Sequence, residues 1–284
     1  MGIEKSRPVL ITGCSTGIGR ATAERLADDG WNVHATARRL DAIEDLGKKG
    51  CTTGELDVTN ERSMETAVKE VEKDGPIGAL INNAGYSQSG AIETIPMDSV
   101  RRQFETNVFG LMRMCQLALP GMRGAGSGKI VNLSSMGGKL TFPGGGVYHA
   151  TKHAVEALSD ALRFEVKGFG IDVVVIEPGL IVTEFGETAA GSLDEVDEHG
   201  PYAKFNADVA KLTAGAYKGG MARFGGGPDA VAAKIAKALL TRRPATRYKV
   251  TPSARVVMGM RGLMTDRMWD RFVRSQYPQP KPEA

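Results

Sequence analysis

Short apolar runs alternate with longer stretches of helical period along the first two-thirds of the chain. The runs at 8–12, 31–37, 52–57, 79–82, 129–134 and 171–177 are mostly continuous. Continuous runs are the pattern of parallel strands covered on both faces, whereas half-exposed strands alternate. Between them, helical periodicity predicts helices over 17–29, 41–49, 61–73, 97–123 and 147–168. Strand and helix alternating this regularly predict an α/β fold, a doubly wound parallel sheet flanked by helices on both faces.

The pattern changes after residue 183. Residues 184–227 are glycine-rich and polar, with spaced aromatic anchors at Phe185, Tyr202, Phe205 and Phe224. A segment of this kind at the carboxyl end of a strand is expected to be a substrate-binding loop or lid. A helix is predicted over 228–241, opened by Pro228 in its first turn, and a last strand over 246–251. The tail then carries Val256, Met260, Met264 and Met268 at four-residue intervals, with Trp269 and Phe272 beside them. This stripe has helical period over 256–273 and is expected to roof an apolar pocket, the alternative being that it packs on the domain or on another subunit. Arg255, Arg261, Arg267, Arg271 and Arg274 do not segregate to an opposite face, as they would on a membrane-surface helix. No repeat or linker divides the chain. One domain is expected, with a core at 8–183, a loop or lid at 184–227, and a last helix, strand and extension at 228–284.

The composition of the 284 residues is ordinary, 42% hydrophobic and 24% charged. A net charge of +3 without a basic cluster gives no reason to expect a nucleic-acid partner. No run approaches the length of a membrane-spanning helix, and the first residues run directly into a strand, so no signal peptide is expected. Gly2 with Ser6 fits an acylation pattern and Asn132-Leu133-Ser134 a glycosylation sequon. The first reads as chance, and the second lies in a strand expected to be buried. Cys14, Cys51 and Cys115 are odd in number and unpaired in spacing, which predicts free thiols in a reducing, cytoplasmic compartment.

The chemistry starts at Thr12-Gly13-Cys14-Ser15-Thr16-Gly17-Ile18-Gly19, between the first strand and the first helix. A turn there that binds pyrophosphate must let backbone amides approach it, which excludes a Cβ, and the helix N-terminus adds a partial positive charge. Further along come Asp57-Val58, Asn82-Asn83-Ala84-Gly85, Asn107, Ser134-Ser135, Tyr148-His149-Ala150-Thr151-Lys152 and Pro178-Gly179-Leu180-Ile181-Val182-Thr183. Ser135 stands 13 residues before Tyr148. In order and spacing these segments resemble the short-chain dehydrogenase/reductase family, over about residues 8–183. The resemblance implies a Rossmann-like fold and a nicotinamide-dependent oxidoreductase interconverting a carbonyl and an alcohol, usually as a homodimer or homotetramer. It also implies a cofactor site of Gly13, Ser15, Thr16, Gly17, Ile18, Gly19, Asp57, Val58, Asn83, Ala84, Gly85, Tyr148, Lys152, Pro178, Gly179, Ile181 and Thr183.

The residues themselves are compatible with that chemistry. A tyrosine has an unperturbed pKa of about 10 and becomes a useful acid when a cation stabilises its phenolate. Tyr148 and Lys152, four apart on a predicted helix, share one face. By resemblance Tyr148 is the general acid/base, Lys152 its partner and a ribose ligand, and Ser135 a donor to the substrate oxygen. Asn107 would hold a relay water. His149 and His153 are also four apart, but no third ligand of matching spacing appears, so no metal is expected. A hydrolase triad built on Ser134 or Ser135 with His149 and Asp160 lacks the G-x-S-x-G elbow.

The second predicted strand ends in Ala37-Arg38-Arg39, where NAD-selective relatives carry an acidic residue on the ribose. Without that carboxylate, and with two guanidinium groups suited to phosphate, the expected cofactor is NADP(H), with NAD as the alternative. The absence of a basic residue at Ser15 or Thr16 departs from some NADP-binding relatives. Two other readings of the same fold are a non-catalytic cofactor sensor, which would be expected to lose Tyr148 or Lys152, and an epimerase or dehydratase, which would carry a different glycine spacing. The substrate expected is a bulky hydrophobic small molecule, of steroid-, retinol- or ketone-like character.

Overall fold

Within the computed structural model, residues 3–183, 200–218 and 224–280 are described. Seven parallel strands form one sheet in the order β3-β2-β1-β4-β5-β6-β7. They are β1 (Val9–Ile11), β2 (Val33–Ala37), β3 (Thr52–Glu55), β4 (Ala79–Asn82), β5 (Gly128–Leu133), β6 (Ile171–Glu177) and β7 (Arg247–Lys249). The chain reverses its direction of travel across the sheet between β1 and β4, which pair in register Val9 to Ala79. A crevice opens at the carboxyl ends of strands where such a reversal occurs.

Alternation along each strand feeds two cores. Val9 and Ile11 face one side, packed with Leu26 of α1 (Gly17–Asp28) and with Val231, Ile235 and Leu239 of α8 (Pro228–Leu240). Leu10, Leu80 and Ile130 face the other. There they meet α3 (Glu61–Val71), α5 (Leu111–Gly124) and α6 (Gly146–Val166). Lys129, 1% exposed on β5, donates from Nζ to the carbonyls of Ala238, Leu239 and Thr241 at 2.8, 2.7 and 2.6 Å. Its ammonium thereby satisfies carbonyls that the C-terminus of α8 leaves without helical partners.

Several elements differ from the sequence expectation. The helix predicted over 41–49 is a 3-10 turn, Leu40–Ala42, followed by the single-turn α2 (Glu44–Gly47). Buried Ile43 separates them with φ −133°, ψ 7°, outside the helical region, because its side chain turns into the first core with Leu46. The helix predicted over 97–123 is present but compound. It runs as α4 (Met97–Phe104), a π-helical turn (Glu105–Gly110) and then α5.

The segment read as a glycine-rich loop contains a helix, α7 (Ala203–Lys218). Its stretches 184–199, with Phe185, and 219–223 lie outside the described residues, and Gly226 bridges to Ile181. The tail is two helices, α9 (Pro252–Leu263) and α10 (Asp266–Gln276). Thr265 breaks it, its Oγ1 accepting from the amide of Met268 and so starting a new helix. The four-residue ladder also drifts by about 40° per step on a 3.6-residue helix. Val256 and Met268 are consequently exposed. The buried set is Ala254, Met258 and Trp269, packed on Leu140 with Phe142, Val257 and Phe272.

Candidate active site

A cavity of about 1440 Å³ lies at the carboxyl ends of the strands. The turn after β1 forms its floor. Gly13 and Gly17 have φ of +75° and +58°, in the left-handed region that glycine occupies without strain. A Cβ on Gly13 would stand 2.9 Å from the Cα of Ala84, and one on Gly19 2.2 Å from the carbonyl oxygen of Gly13. Thr16 begins α1 without a side-chain cap, so the first-turn amides beside Ser15, Gly17 and Ile18 are free of one. That is the cradle a pyrophosphate needs, and the turn fits a dinucleotide.

The segment after β4 holds this turn in shape, a part that motif reading alone did not assign. Asn83 Nδ2 donates to the carbonyls of Thr12 and Gly13 at 3.0 and 2.8 Å, and Thr12 Oγ1 accepts the amides of Asn83 and Ala84. At the adenosine end, Ala37 closes β2 and Arg38 lines the cavity with no ion-pair partner among the described residues. Arg39 is not among the lining residues; it is solvent-exposed and 3.6 Å from Asp41. Asp57 and Val58 line the same wall, and Asp57 Oδ1 accepts from the amide and hydroxyl of Thr59.

Ser135, Tyr148 and Lys152 all line the cavity, beside Gly85 and the 178–183 segment with Pro178, Gly179, Ile181 and Thr183. Ser135 leaves β5 in extended conformation, and its Oγ accepts from the amide of Gly137 at 3.1 Å. Lys152 is 6% exposed, its Nζ 5.7 Å from the centre of the Tyr148 ring and 2.8 Å from the Leu133 carbonyl it donates to. Burial pushes the Lys152 ammonium down to about 8, with the Glu156 carboxylate opposing the shift.

Asn107 sits in the π-helical turn, behind the cavity wall, 1% exposed. Its amide accepts from Tyr86 N and donates to Tyr86 O and Thr151 Oγ1. It therefore ties the loop after β4 to the helix carrying Lys152. A Cβ on Gly85 would stand 3.0 Å from Asn107 Oδ1 and 3.8 Å from Lys152 Nζ, so the three residues converge.

Other residues at the site left little mark in the sequence pattern. Glu156, one turn beyond Lys152 and 3% exposed, pairs through Oε2 with Lys139 at 2.9 Å and Arg247 at 3.0 Å. Arg247 also approaches buried Glu177 at 3.4 Å, whose carboxyl is pushed up to about 7 by burial and by Glu156. These groups brace α6, the chain after Ser135 and the end of β6 together. His149 lines the cavity as well. Phe142, Val209, Leu212, Val257 and Phe272 add an apolar surface to the cavity lining. No cluster of three or more metal-ligating side chains occurs among the described residues. No helix among them is long and apolar enough to cross a membrane.

A family model described as short chain dehydrogenase matches residues 7–192. The uncharacterized oxidoreductase YbbO of Escherichia coli is 35% identical over 94% of this chain and 94% of its own length. An NADPH-dependent 3-dehydrocapnine reductase of Ornithobacterium rhinotracheale is 33% identical over 94% of this chain and 95% of its own. Among solved structures, a short-chain dehydrogenase from Streptomyces avermitilis is similar with TM-score 0.79 and 35% identity, covering 95% of this chain and 97% of that one.

Proposed function

Because the chain belongs to the short-chain dehydrogenase family, as an oxidoreductase of Rossmann-like fold, we propose that it is an NADP(H)-dependent enzyme interconverting a carbonyl and an alcohol on a bulky apolar substrate. The observation that carries this reading is that Ser135, Tyr148 and buried Lys152 line one cavity with the glycine turn and with Phe142, Val209, Leu212, Val257 and Phe272. Bound along the cradle, a reduced nicotinamide supplies the hydride. The chain's own groups then do the rest. Ser135 Oγ donates to the substrate oxygen and holds the carbonyl in place. Tyr148 gives its phenolic proton to that oxygen as negative charge develops there, and the Lys152 cation stabilises the phenolate left behind. Asn107 and Gly85 are positioning residues that hold Lys152 in register.

For the cofactor, Ala37 puts no carboxylate against a 2′-phosphate and Arg38 offers a guanidinium with no ion-pair partner among the described residues. The NADPH dependence of the 3-dehydrocapnine reductase supports the same choice. In this reading residues 8–183 bind cofactor and perform the chemistry, and the segments after 183 complete the substrate pocket within one domain. Exposed Phe109, Met112 and Phe164, on the π-helical turn, α5 and α6, fit a pairing face for a second copy of the chain. The buried free thiols Cys14, Cys51 and Cys115 fit a cytoplasmic protein. The test is a panel of apolar ketones assayed with NADPH and NADH in parallel. Turnover with NADPH in clear preference to NADH supports the proposal. Equal use of both cofactors removes the NADP part, and no turnover of any ketone removes the whole.

A further inference from the structure

His149 adjoins Tyr148 on α6, with ring centres 5.6 Å apart. Its imidazole occupies a seat that two glycines leave open. A Cβ on Gly137 would lie 2.3 Å from its Cδ2, and one on Gly145 2.6 Å from its Cε1. Phe142 packs edge-on against the ring, and its amide donates to Nδ1 at 3.4 Å. An imidazole that accepts through Nδ1 carries its proton on Nε2. That Nε2–H has no hydrogen-bond partner among the described residues. Burial, with His153 adding to it, pushes the imidazole down to about 4, so the ring is neutral at neutral pH.

A seated, uncharged donor thus stands beside the general acid, in a cavity that Phe142, Val209, Leu212, Val257 and Phe272 also line. An N–H facing an apolar pocket that water leaves on substrate binding is costly unless the substrate supplies an acceptor. A neutral imidazole suits an uncharged acceptor. Its adjacency to Tyr148 puts that acceptor within one or two carbons of the reacting carbonyl. We propose that His149 is a substrate-binding donor that selects ketones carrying a second, uncharged oxygen on the α or β carbon. The inference rests on the reading of the chain as a ketone reductase and names the substrate class of that site.

The experiment compares three substrates in NADPH oxidation by the full-length enzyme. They are methyl hexyl ketone, which has no second oxygen; hexyl hydroxymethyl ketone, with an α-hydroxyl; and ethyl butyrylacetate, with a β-ester. The proteins are wild type, His149→Phe, which fills the seat without a donor, and His149→Gln, whose amide nitrogen reaches the place of Nε2. In wild type, kcat/KM is expected to be higher for at least one oxygenated substrate than for the simple ketone. His149→Phe is expected to lower that advantage about 2- to 10-fold, the worth of one neutral hydrogen bond, and His149→Gln to restore part of it. Retention of the full advantage in His149→Phe overturns the proposal, as does an equal loss on all three substrates, which marks a packing role alone. A wild type that reduces the simple ketone as well as the others overturns it while leaving the reductase reading intact. A wild type that reduces none of the three overturns both.

Discussion

The part of the molecule that forms the glycine-rich turn and the part that closes the far end of the cavity are built under different physical constraints. In residues 8–183 the decisive geometry belongs to the backbone. Gly13 and Gly17 take positive φ, and Gly19 lies where a Cβ would strike the Gly13 carbonyl. Each such demand admits one residue type and therefore marks the sequence. From residue 200 on, the pocket is made by side chains that any large apolar residue could replace. Phe272 and Val257 line it with Phe142, and behind them Trp269 packs on Leu140, across more than a hundred residues of chain. Backbone requirements are legible as motifs, whereas packing requirements are legible only as periodicity, and periodicity resets wherever a helix is recapped.

This division predicts separable defects. Arg38→Ala should weaken NADPH binding by about 10- to 150-fold, the loss of one charge-assisted hydrogen bond. NADH affinity and ketone KM should stay near wild type, as measured by fluorescence titration and steady-state kinetics. Trp269→Ala should do the reverse, raising KM for bulky ketones roughly 10-fold while NADPH affinity holds. If Trp269→Ala weakens NADPH equally, the two regions are one site and the comparison fails. The smallest effect expected is one of pH. A lysine is cationic below its pKa, and Lys152 lies near 8 in the folded protein. Carbonyl reduction should therefore fall only about two-fold between pH 7 and 8 and about ten-fold per unit beyond. An alkaline limb near pH 10 would place the proton-linked cation elsewhere.

Much of the site was readable for the reason given above. The strand runs form the sheet expected, and residues of the glycine turn, Asp57, Asn83-Ala84-Gly85, Ser135, Tyr148 and Lys152 line one cavity. The exceptions are instructive. Arg39 was grouped with Arg38 because adjacency in sequence does not say which side chain turns inward past a strand end; Asp41 draws Arg39 outward. Asn107 read as a site residue, but its place behind the wall depends on the π-helical turn, which no periodicity announces. The tail stripe was read as one helix, but Thr265 starts a second, so Trp269 and Phe272 pack inward as expected while Val256 and Met268 are exposed. His149 and Glu156 lie at helix positions whose significance comes from what packs against them, Gly137 and Gly145 for one and Arg247 for the other.

The central claim is that Tyr148 delivers the proton from a site whose cofactor cradle is independent of it. It is tested most directly by measuring NADPH affinity and ketone turnover in Tyr148→Phe beside wild type. The ring keeps its packing and loses only the hydroxyl. NADPH should bind within about two-fold of wild type while turnover falls roughly 10²- to 10⁴-fold, the range for a general acid. Turnover retained within a few-fold of wild type would contradict the account.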